Sequence, residues 1–481
     1  MIPFALGKAF EREAGVEFIC PDKAGRRLED MQISRVSTDS RAELEGALFI
    51  ALKGGNFDGH DFVEAAADKG AIAAGVSQEW YASHPEVVKR LRERKVMVIT
   101  CADTLRLLGL TALAVRNEFQ GKVAALSGSC GKTTVKEMCA AILKQCGNVL
   151  YTQGNFNNDV GVPLTLLRLE SSHDFAVIEQ GASHLHDLER TCEFVCSDAA
   201  LITNVGQAHI EGFGSAEGVY RGKSELLTDA FARGKVGIVP SDSPWYERWC
   251  TDFAKEKAQR RLLSFGSHDF DFVKVSNIAQ SPQGGICFTL THAGQSLDFE
   301  LAMLGLHNAY NAAAAAALAL SVGADFAAVG RGLSACRNMQ GRLQLIQRGN
   351  LALIDDAYNA SFDAVIAGIR TLASFKDSFK VLVFGDMGEL GAAKENLHRK
   401  VGEAAASSQV DAMYCIGPLS ELSCSAFAGS RHFAAHADLN AALAELIDAK
   451  LAAGQQVVVL VKGSHSMQMH QVNDFLLQRY H

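Results

Sequence analysis

Proline is scarce in this chain, 8 residues in 481, and it has no CxxC pair, no basic stripe and no long hydrophobic run outside one alanine tract. Each shortage excludes a class of protein. Few prolines against 43 glycines is the punctuation of many strand-to-helix turns, not of a disordered or linker-rich chain. The twelve cysteines are scattered, the nearest pair being Cys192 and Cys196, so neither a zinc knuckle nor a disulfide framework is expected and most thiols should be buried. The alanine tract "NAAAAAALALSVGA" is bounded by Asn311 and Gly323 and suits a buried helix better than the roughly 20 lipid-facing residues of a membrane span. A net charge of −8 argues against a nucleic-acid surface. The N-terminal "MIPFALGKAFEREAGVEF" mixes acidic with apolar residues and has no cleavage-like site, so no secretion signal is read there and a cytoplasmic location is expected.

What is present is the composition of an ordinary folded protein, 48% hydrophobic and 21% charged. The length exceeds a single core. Three domains are expected, at residues 1–102, 103–335 and 336–481, all of α/β class. The first holds "ALFIAL", a turn-rich "KGGNFDGHDF" and a stretch read as helical, "VEAAADKGAIAAGV". In the second, "VAAL", "FAVI", "AALIT" and "VGIV" are short apolar runs near Gly, Asp or Asn, as buried parallel strands are. In the third, "LALI", "VLVF", "AMYCIG" and "VVVLV" alternate with helical stretches and predict a second doubly wound, Rossmann-like sheet.

"VAALSGSCGKTTVKEM" joins a strand to a helix through a glycine turn, the helix being marked by Val135, Met138, Cys139, Ile142, Leu143 and Cys146. Such a turn cradles phosphate. Backbone N–H groups of Gly128, Ser129, Cys130, Gly131 and Lys132 are expected to converge on the anion, with Thr134 opening the helix. Lys132 would reach the β- and γ-phosphates and the Thr133 hydroxyl a magnesium ion. Leu126 stands where the full pattern has glycine, so the signal is the shorter GxxGK[ST]. An incidental lysine in a plain strand–helix turn is the competing reading, and the strand before and helix after argue against it.

Ligands bind outside the carboxyl ends of parallel strands. There "FAVIEQGASH" offers Glu179, and "AALITNVGQAH" offers Thr203, Asn204 and His209. A carboxylate and an imidazole beside bound phosphates suggest magnesium ligation for phosphoryl transfer. Alone, a strand-end Glu is more often a surface or capping residue and a loop His more often not a ligand. Their common position beside the phosphate turn changes that balance.

These motifs, with "GNFNNDVGVPLTLL", "ITNVGQAHIEGFGSAEGV", "GLHNAYNAAAAAALAL", "DDAYNAS", "FGDMGELG" and "VKGSHSM", resemble those of the Mur ligases of peptidoglycan synthesis over nearly the whole chain. The resemblance implies an ATP- and Mg2+-dependent ligase, expected to be monomeric, whose substrates are a UDP-N-acetylmuramoyl-tripeptide and D-alanyl-D-alanine. Its catalytic set would be Lys132, Glu179, His209 and Lys223. Thr133 and Glu179 would hold one magnesium, and His209 with a carbamylated Lys223 a second. His307, Asn308 and Asn311 would face the adenine, and Arg342 and Asp356 the rest of the nucleotide. The UDP-sugar would lie on Ser37, Thr38, Asp39, Ser40, Arg41, Lys53, Gly54, Asn56, Asp58 and His60. Asn155, Asn157, Asn158, Ser183 and His184 would meet the tripeptide, and Tyr358, Asn359, Asp386, Met387, Glu389 and Leu390 the dipeptide.

The chain departs from the family pattern at Gln180, Ser183 and His465, which bear on substrate contacts. Another Mur-type amide ligase, a folylpolyglutamate synthetase, and a nucleotide-binding scaffold without turnover are the competing readings. Preservation of the phosphate turn together with both proposed metal pairs favours the ligase.

Overall fold

The computed structural model describes residues 1–10, 13, 15–19, 31–55, 57–206, 209–281 and 285–480. The chain forms two compact units: Met1–Ala125 with Gly147–Gly181 and Asp187–Asp198, and Leu126–Cys146 with Ala182–His186 and Ala199–His481. Among the described residues no helix is long and apolar enough to cross a membrane.

In the first unit five strands pair in the order Glu17–Ile19, Met97–Cys101, Ala73–Ser77, Leu48–Ile50, Val36–Ser37. All neighbours are parallel except Glu17–Ile19. Leu48–Ile50 and Met97–Cys101 are buried at every position, as strands covered on both faces are. The stretch expected to be helical over 63–76 is helix only at Val63–Asp68 and strand at Ala73–Ser77. Gly70, at φ +90°, ends the helix, and pairing with strands on both sides overrides the helical preference of the alanines.

Asp103 opens the helix Thr104–Glu118 by accepting the Leu105 N–H at 2.8 Å. The helix Asp187–Val195 packs against it so closely that a Cβ on Gly109 would meet the Phe194 ring at 2.2 Å. A parallel pair, Val149–Tyr151 and Phe175–Glu179, carries Glu179 at its end.

The strand Lys122–Ser127 runs into the second unit at Leu126, and there the Thr203 N–H donates to Ser127 O. Ala199–Ile202, Val236–Pro240, Leu262–Gly266 and Val273–Gln280 pair in parallel. An antiparallel arm that the sequence reading did not anticipate follows, formed by Ile286–His292 and Gln295–Leu301. The phosphate turn leads into the helix Lys132–Leu143, whose predicted apolar face is buried as far as Leu143. Cys146 lies beyond the helix end and is exposed, a correction to its expected place on that face. The alanine tract is the helix His307–Ser321, buried from Ala312 to Ala319. The eleven described cysteines are all free, five of them buried.

The helix Ala216–Ala232 carries Lys223 and is held by an aromatic cluster. Trp249 is fully buried, its indole N–H donates to Ser224 Oγ at 2.9 Å, and Tyr220 stacks on Trp245 while its hydroxyl donates to Asp252 at 2.8 Å.

The last sheet runs Gln344–Arg348, Leu351–Asp356, Gln456–Lys462, Ser378–Gly385, Ala412–Ile416, Arg431–Phe433. Only the first pair, a hairpin missed from sequence, is antiparallel. Alternate residues feed two cores, Ile354, Leu382 and Phe384 on one face, Leu353, Val381 and Val383 on the other. The polar groups of interest therefore emerge at the strands' carboxyl ends. Just beyond one of them, the buried His398 donates its Nδ1–H to Lys394 O at 2.6 Å and accepts the Met387 N–H at 2.9 Å.

Trp249→Ala should lower the unfolding free energy of the second unit by about 3–5 kcal/mol in denaturant titration, the usual cost of emptying a buried tryptophan site. A loss under about 1 kcal/mol would contradict the packing described. Burial holds His398 below the ordinary histidine range. Its contribution is complete above the unfolded value and is lost as pH falls through the folded one. Wild type should then lose up to about 1.4 kcal/mol per pH unit more than His398→Gln below about pH 6.5. Parallel stability-versus-pH curves for the two would refute this.

Candidate active site

The phosphate turn is held from outside. Asn204 O accepts the Ser129 N–H at 3.1 Å, Asn204 Oδ1 the Cys130 N–H at 3.0 Å, and Cys130 O accepts from Asn204 Nδ2 and from the Thr203 hydroxyl. Ser129 Oγ in turn accepts the Gly206 N–H at 2.9 Å. The expectation that the Ser129 and Cys130 N–H groups face an anion is thereby corrected, because both are already bonded to Asn204. The first turn of the helix holds Gly131, Lys132, Thr133 and Thr134, and the N–H groups of a first helical turn are the ones an anion can take. Gly131 sits at φ +79°, and a Cβ there would lie 2.7 Å from Asn311 Oδ1. Only glycine lets the adenine candidate Asn311 approach so near. Lys132 Nζ donates to Gly128 O at 2.7 Å.

The helix His307–Ser321 is ordered at its start by its own side chains. Asn308 is buried and donates to Leu304 O at 2.7 Å, and Asn311 donates to Asn308 Oδ1 at 2.8 Å, while His307 is exposed.

A second cluster gathers around the segment Ala182–His186. Lys223 is fully buried, donates from Nζ to Ala182 O at 2.8 Å and lies 5.2 Å from the centre of the Phe213 ring. The His186 N–H donates to Glu225 Oε1 at 2.7 Å, so one helix pins the segment at two points. Ser183 Oγ is 3.3 Å from His209 Nδ1, and a Cβ on Gly212 would lie 3.0 Å from His184 Nε2. His209 itself has φ +58° and pairs through Nδ1 with Glu389.

Arg342 is flanked by two left-handed residues, Gly341 at φ +73° and Leu343 at φ +50°. Its guanidinium lies 4.4 Å over the Tyr358 ring and donates to Thr133 Oγ1 at 3.0 Å. The backbone around it is fixed by acids: Asp355 accepts the Gly341 N–H at 3.1 Å and Asp356 the Leu343 N–H at 3.2 Å. Burial pushes both carboxyls upward, and for Asp356 the Lys462 ammonium, at 2.5 Å, opposes the shift. Lys462 also donates to Asn359 O at 3.1 Å. Sequence reading missed Lys462, whose "VKGSHSM" motif was noted only for His465, a ring now seen tilted against Tyr358.

Of the "GDMGEL" candidates, only Glu389 presents its side chain outward, 63% exposed. Met387 and Leu390 lie in the apolar core, and both Asp386 oxygens accept backbone N–H groups, from Leu419 at 3.1 Å and Ser420 at 2.7 Å. These three residues shape the loop.

In the first unit, Glu179 is buried and its Oε1 accepts from Asn157 Nδ2 at 2.8 Å, while its N–H donates to Thr152 Oγ1. Asn158 Oδ1 accepts the Gly161 N–H at 2.8 Å, and Asn155 is exposed. Gln180 is buried, with no partner for Nε2 among the described residues. Asp39 accepts from the Arg41 guanidinium at 2.9 Å, which holds its carboxyl down to about 2, and the Ser37 hydroxyl lies 3.1 Å from the Asp39 N–H. Thr38 and Ser40 are half-buried beside them. The backbones of Lys53 and Asp58 form an isolated antiparallel β-bridge across a turn in which the Gly54 N–H donates to Phe57 O. Asp58 receives the His60 N–H and Nδ1–H, and His60 Nε2 accepts the Ser77 N–H at 2.9 Å, so these side chains fix the loop. Asn56 lies outside the described residues. Phe57, 63% exposed at the turn's tip, is an aromatic surface that the polar pattern drew attention away from.

Among the described residues no three His, Cys, Asp or Glu side chains cluster as a metal-binding group. The donor chemistry still fits magnesium, which takes oxygen ligands from hydroxyl, carboxylate and phosphate. Thr133 offers its hydroxyl and Glu179 a buried carboxylate, and a carbamate on Lys223 would offer oxygens where an ammonium cannot.

The sequence matches the Mur ligase family catalytic domain over residues 32–114, the Mur ligase middle domain over 126–319 and the Mur ligase glutamate ligase domain over 341–465. It is 40% identical over 445 residues to UDP-N-acetylmuramoyl-tripeptide–D-alanyl-D-alanine ligase of Escherichia coli, covering 92% of this chain and 93% of that protein. The ligase of the same name from Haemophilus influenzae is 39% identical over 450 residues, with 92% and 93% covered. A crystal structure of MurF from Acinetobacter baumannii superposes with a TM-score of 0.86 at 30% identity, covering 99% of each chain. With three domain matches in order and such identity over nearly its whole length, the chain belongs to the Mur ligase family.

Proposed function

We propose that this protein is an ATP-dependent, ADP-forming ligase that joins D-alanyl-D-alanine to a UDP-N-acetylmuramoyl-tripeptide. It would work as a cytoplasmic monomer in peptidoglycan precursor synthesis. The observation that carries the reading is the meeting, within one unit, of the phosphate turn with Arg342, whose guanidinium touches Thr133 Oγ1. A cation and a candidate metal ligand thus stand together at the start of an anion-binding helix. Relatives bearing this activity in their names, matched over 92% of the chain, favour it over the other amide ligases and over a scaffold.

In this reading the tripeptide carboxylate attacks the γ-phosphorus of ATP and ADP leaves. The dipeptide amine then attacks the acyl phosphate, phosphate departs, and the amine's proton is released. Lys132 leaves Gly128 O to neutralise phosphate oxygens, and Arg342 supplies a second cation from the segment that follows. Asn308, Asn311 and His307 orient the base, and Asp356 fixes the Arg342 backbone. Magnesium ions would neutralise charge on the transferred phosphoryl group, with Thr133 in the second unit, Glu179 in the first, and His209 and a carbamylated Lys223 each a candidate ligand. Residues 37–60 bind the uridine diphosphate end, and Tyr358 and Asn359 border the dipeptide.

Lys132→Ala should keep its fold and lose about 100-fold or more of kcat in tripeptide- and dipeptide-dependent phosphate release, the order expected when a preorganised charge is removed from phosphoryl transfer. Near-normal phosphate release would remove the phosphate-turn reading. Lys223→Ala should be nearly inactive and partly rescued by a small carboxylate such as acetate, and the wild type should take up 13C-labelled carbon dioxide as a carbamate seen by NMR. Full activity of the variant, or no label on the wild type, would sink the carbamate assignment.

A further inference from the structure

His209 meets the rest of the unit through one ring nitrogen. Ser183 Oγ and the Glu389 carboxylate both approach Nδ1, and Nε2 has no hydrogen-bond partner among the described residues. A carboxylate on the far nitrogen of a metal-binding histidine fixes its tautomer, aims the ring and raises its basicity. Magnesium prefers oxygen ligands and demands near-ideal octahedral geometry, so an imidazole that ligates it must be well aimed.

Two further features make this contact a built one. His209 and Glu389 stand at φ +58° and +59°, left-handed conformations that non-glycine residues adopt rarely and that persist where surrounding structure imposes them. The imposing structure is visible on both sides. Glu389 rides on a loop whose Asp386 is bonded to two backbone N–H groups, whose Met387 N–H is taken by His398 and whose Leu390 is in the core. On the other side, Gly391 approaches the helix beginning after His209, where a Cβ would be 3.3 Å from Glu211 Cβ. The strained Glu389 is the one acidic side chain that this rigid loop turns outward.

We infer that Glu389 is a positioning residue for the ligation step, accepting the His209 Nδ1–H so that Nε2 is presented to the second metal ion. The inference rests on the proposed ligase reading, in which His209 is a metal ligand. It gives the "GDMGEL" loop a task separate from substrate contact: the loop completes a metal site whose ligand lies in another part of the chain.

The test is a titration of the full-length protein with Mn2+ as a paramagnetic probe, in the presence of a non-hydrolysable ATP analogue, free Mn2+ being read by EPR. Glu389→Ala should weaken the second, weaker class of Mn2+ site about 10- to 100-fold, leave the first class and the analogue's affinity unchanged, and keep the wild-type Tm. Glu389→Gln, which keeps an acceptor oxygen, should fall between the two. His209→Ala should lose the second class altogether. If His209→Ala loses that class and Glu389→Ala does not, the positioning role is overturned while the ligase reading stands. If both variants retain it, His209 is no ligand, and the metal assignment in the proposed function falls together with the inference. A Glu389→Ala variant whose only change is a raised KM for D-alanyl-D-alanine would likewise overturn the inference in favour of direct substrate contact.

Discussion

The chemistry proposed for this chain depends on the grip of Asn204 on the phosphate turn. The turn has leucine at position 126, where a glycine usually lets the backbone wrap the anion unaided, and Asn204 takes up two of its N–H groups and one of its carbonyls. Thr203 adds a second bond to the same Cys130 carbonyl and sits so close to Gly128 that a Cβ there would lie 2.0 Å from its hydroxyl. Rigidity is thus imported from the neighbouring strand end. The cost is two donors fewer for the proposed anion, which leaves the helix's first turn and Lys132 as its candidate partners.

The rest of the second unit repeats that division between buried anchors and outward-facing groups. Asp355, Asp356 and Lys462 are buried and bonded to backbone, and what they hold is the pair of left-handed residues around Arg342. A buried ion pair of this kind adds little net stability against an apolar substitute, yet removing one partner typically costs about 3–5 kcal/mol. Its worth here lies in geometry. Asp386 and His398 do the same for Glu389, and the Trp249 cluster does so for Lys223.

The parallel strands were legible because strands buried on both faces are written as continuous apolar runs between turn residues, and "VAAL", "FAVI", "VLVF" and "VVVLV" all lie within strands. The strand at Ala73–Ser77 was misread because alanine and glycine carry no strand signal and only its two neighbours make it one. Lys132 and Thr133 were found through local spacing. Lys223 and Arg342 had no such signal and came only from the family resemblance, since an isolated lysine or arginine reads as solvated. The partnerships of Lys462 with Asp356 and of Glu389 with His209 were beyond reach, for they join residues more than a hundred positions apart. His60 shows the converse: the family resemblance gave it a substrate contact, and its ring ties Asp58 to Ser77 inside the fold.

The first unit is assembled from three separated stretches, the last of which is Asp187–Asp198. Gly109, in the first stretch, packs against Phe194 in the last, and Arg116 donates to Val195 O and Cys196 O. During synthesis, therefore, residues 1–125 emerge as an unfinished body whose helix Thr104–Glu118 keeps a face uncovered until Asp187–Asp198 has been made. Loop closure of that span precedes the contacts that reward it. Expression of residues 1–125 alone would reproduce this exposed state permanently, and its natural outcome is association through the uncovered helix.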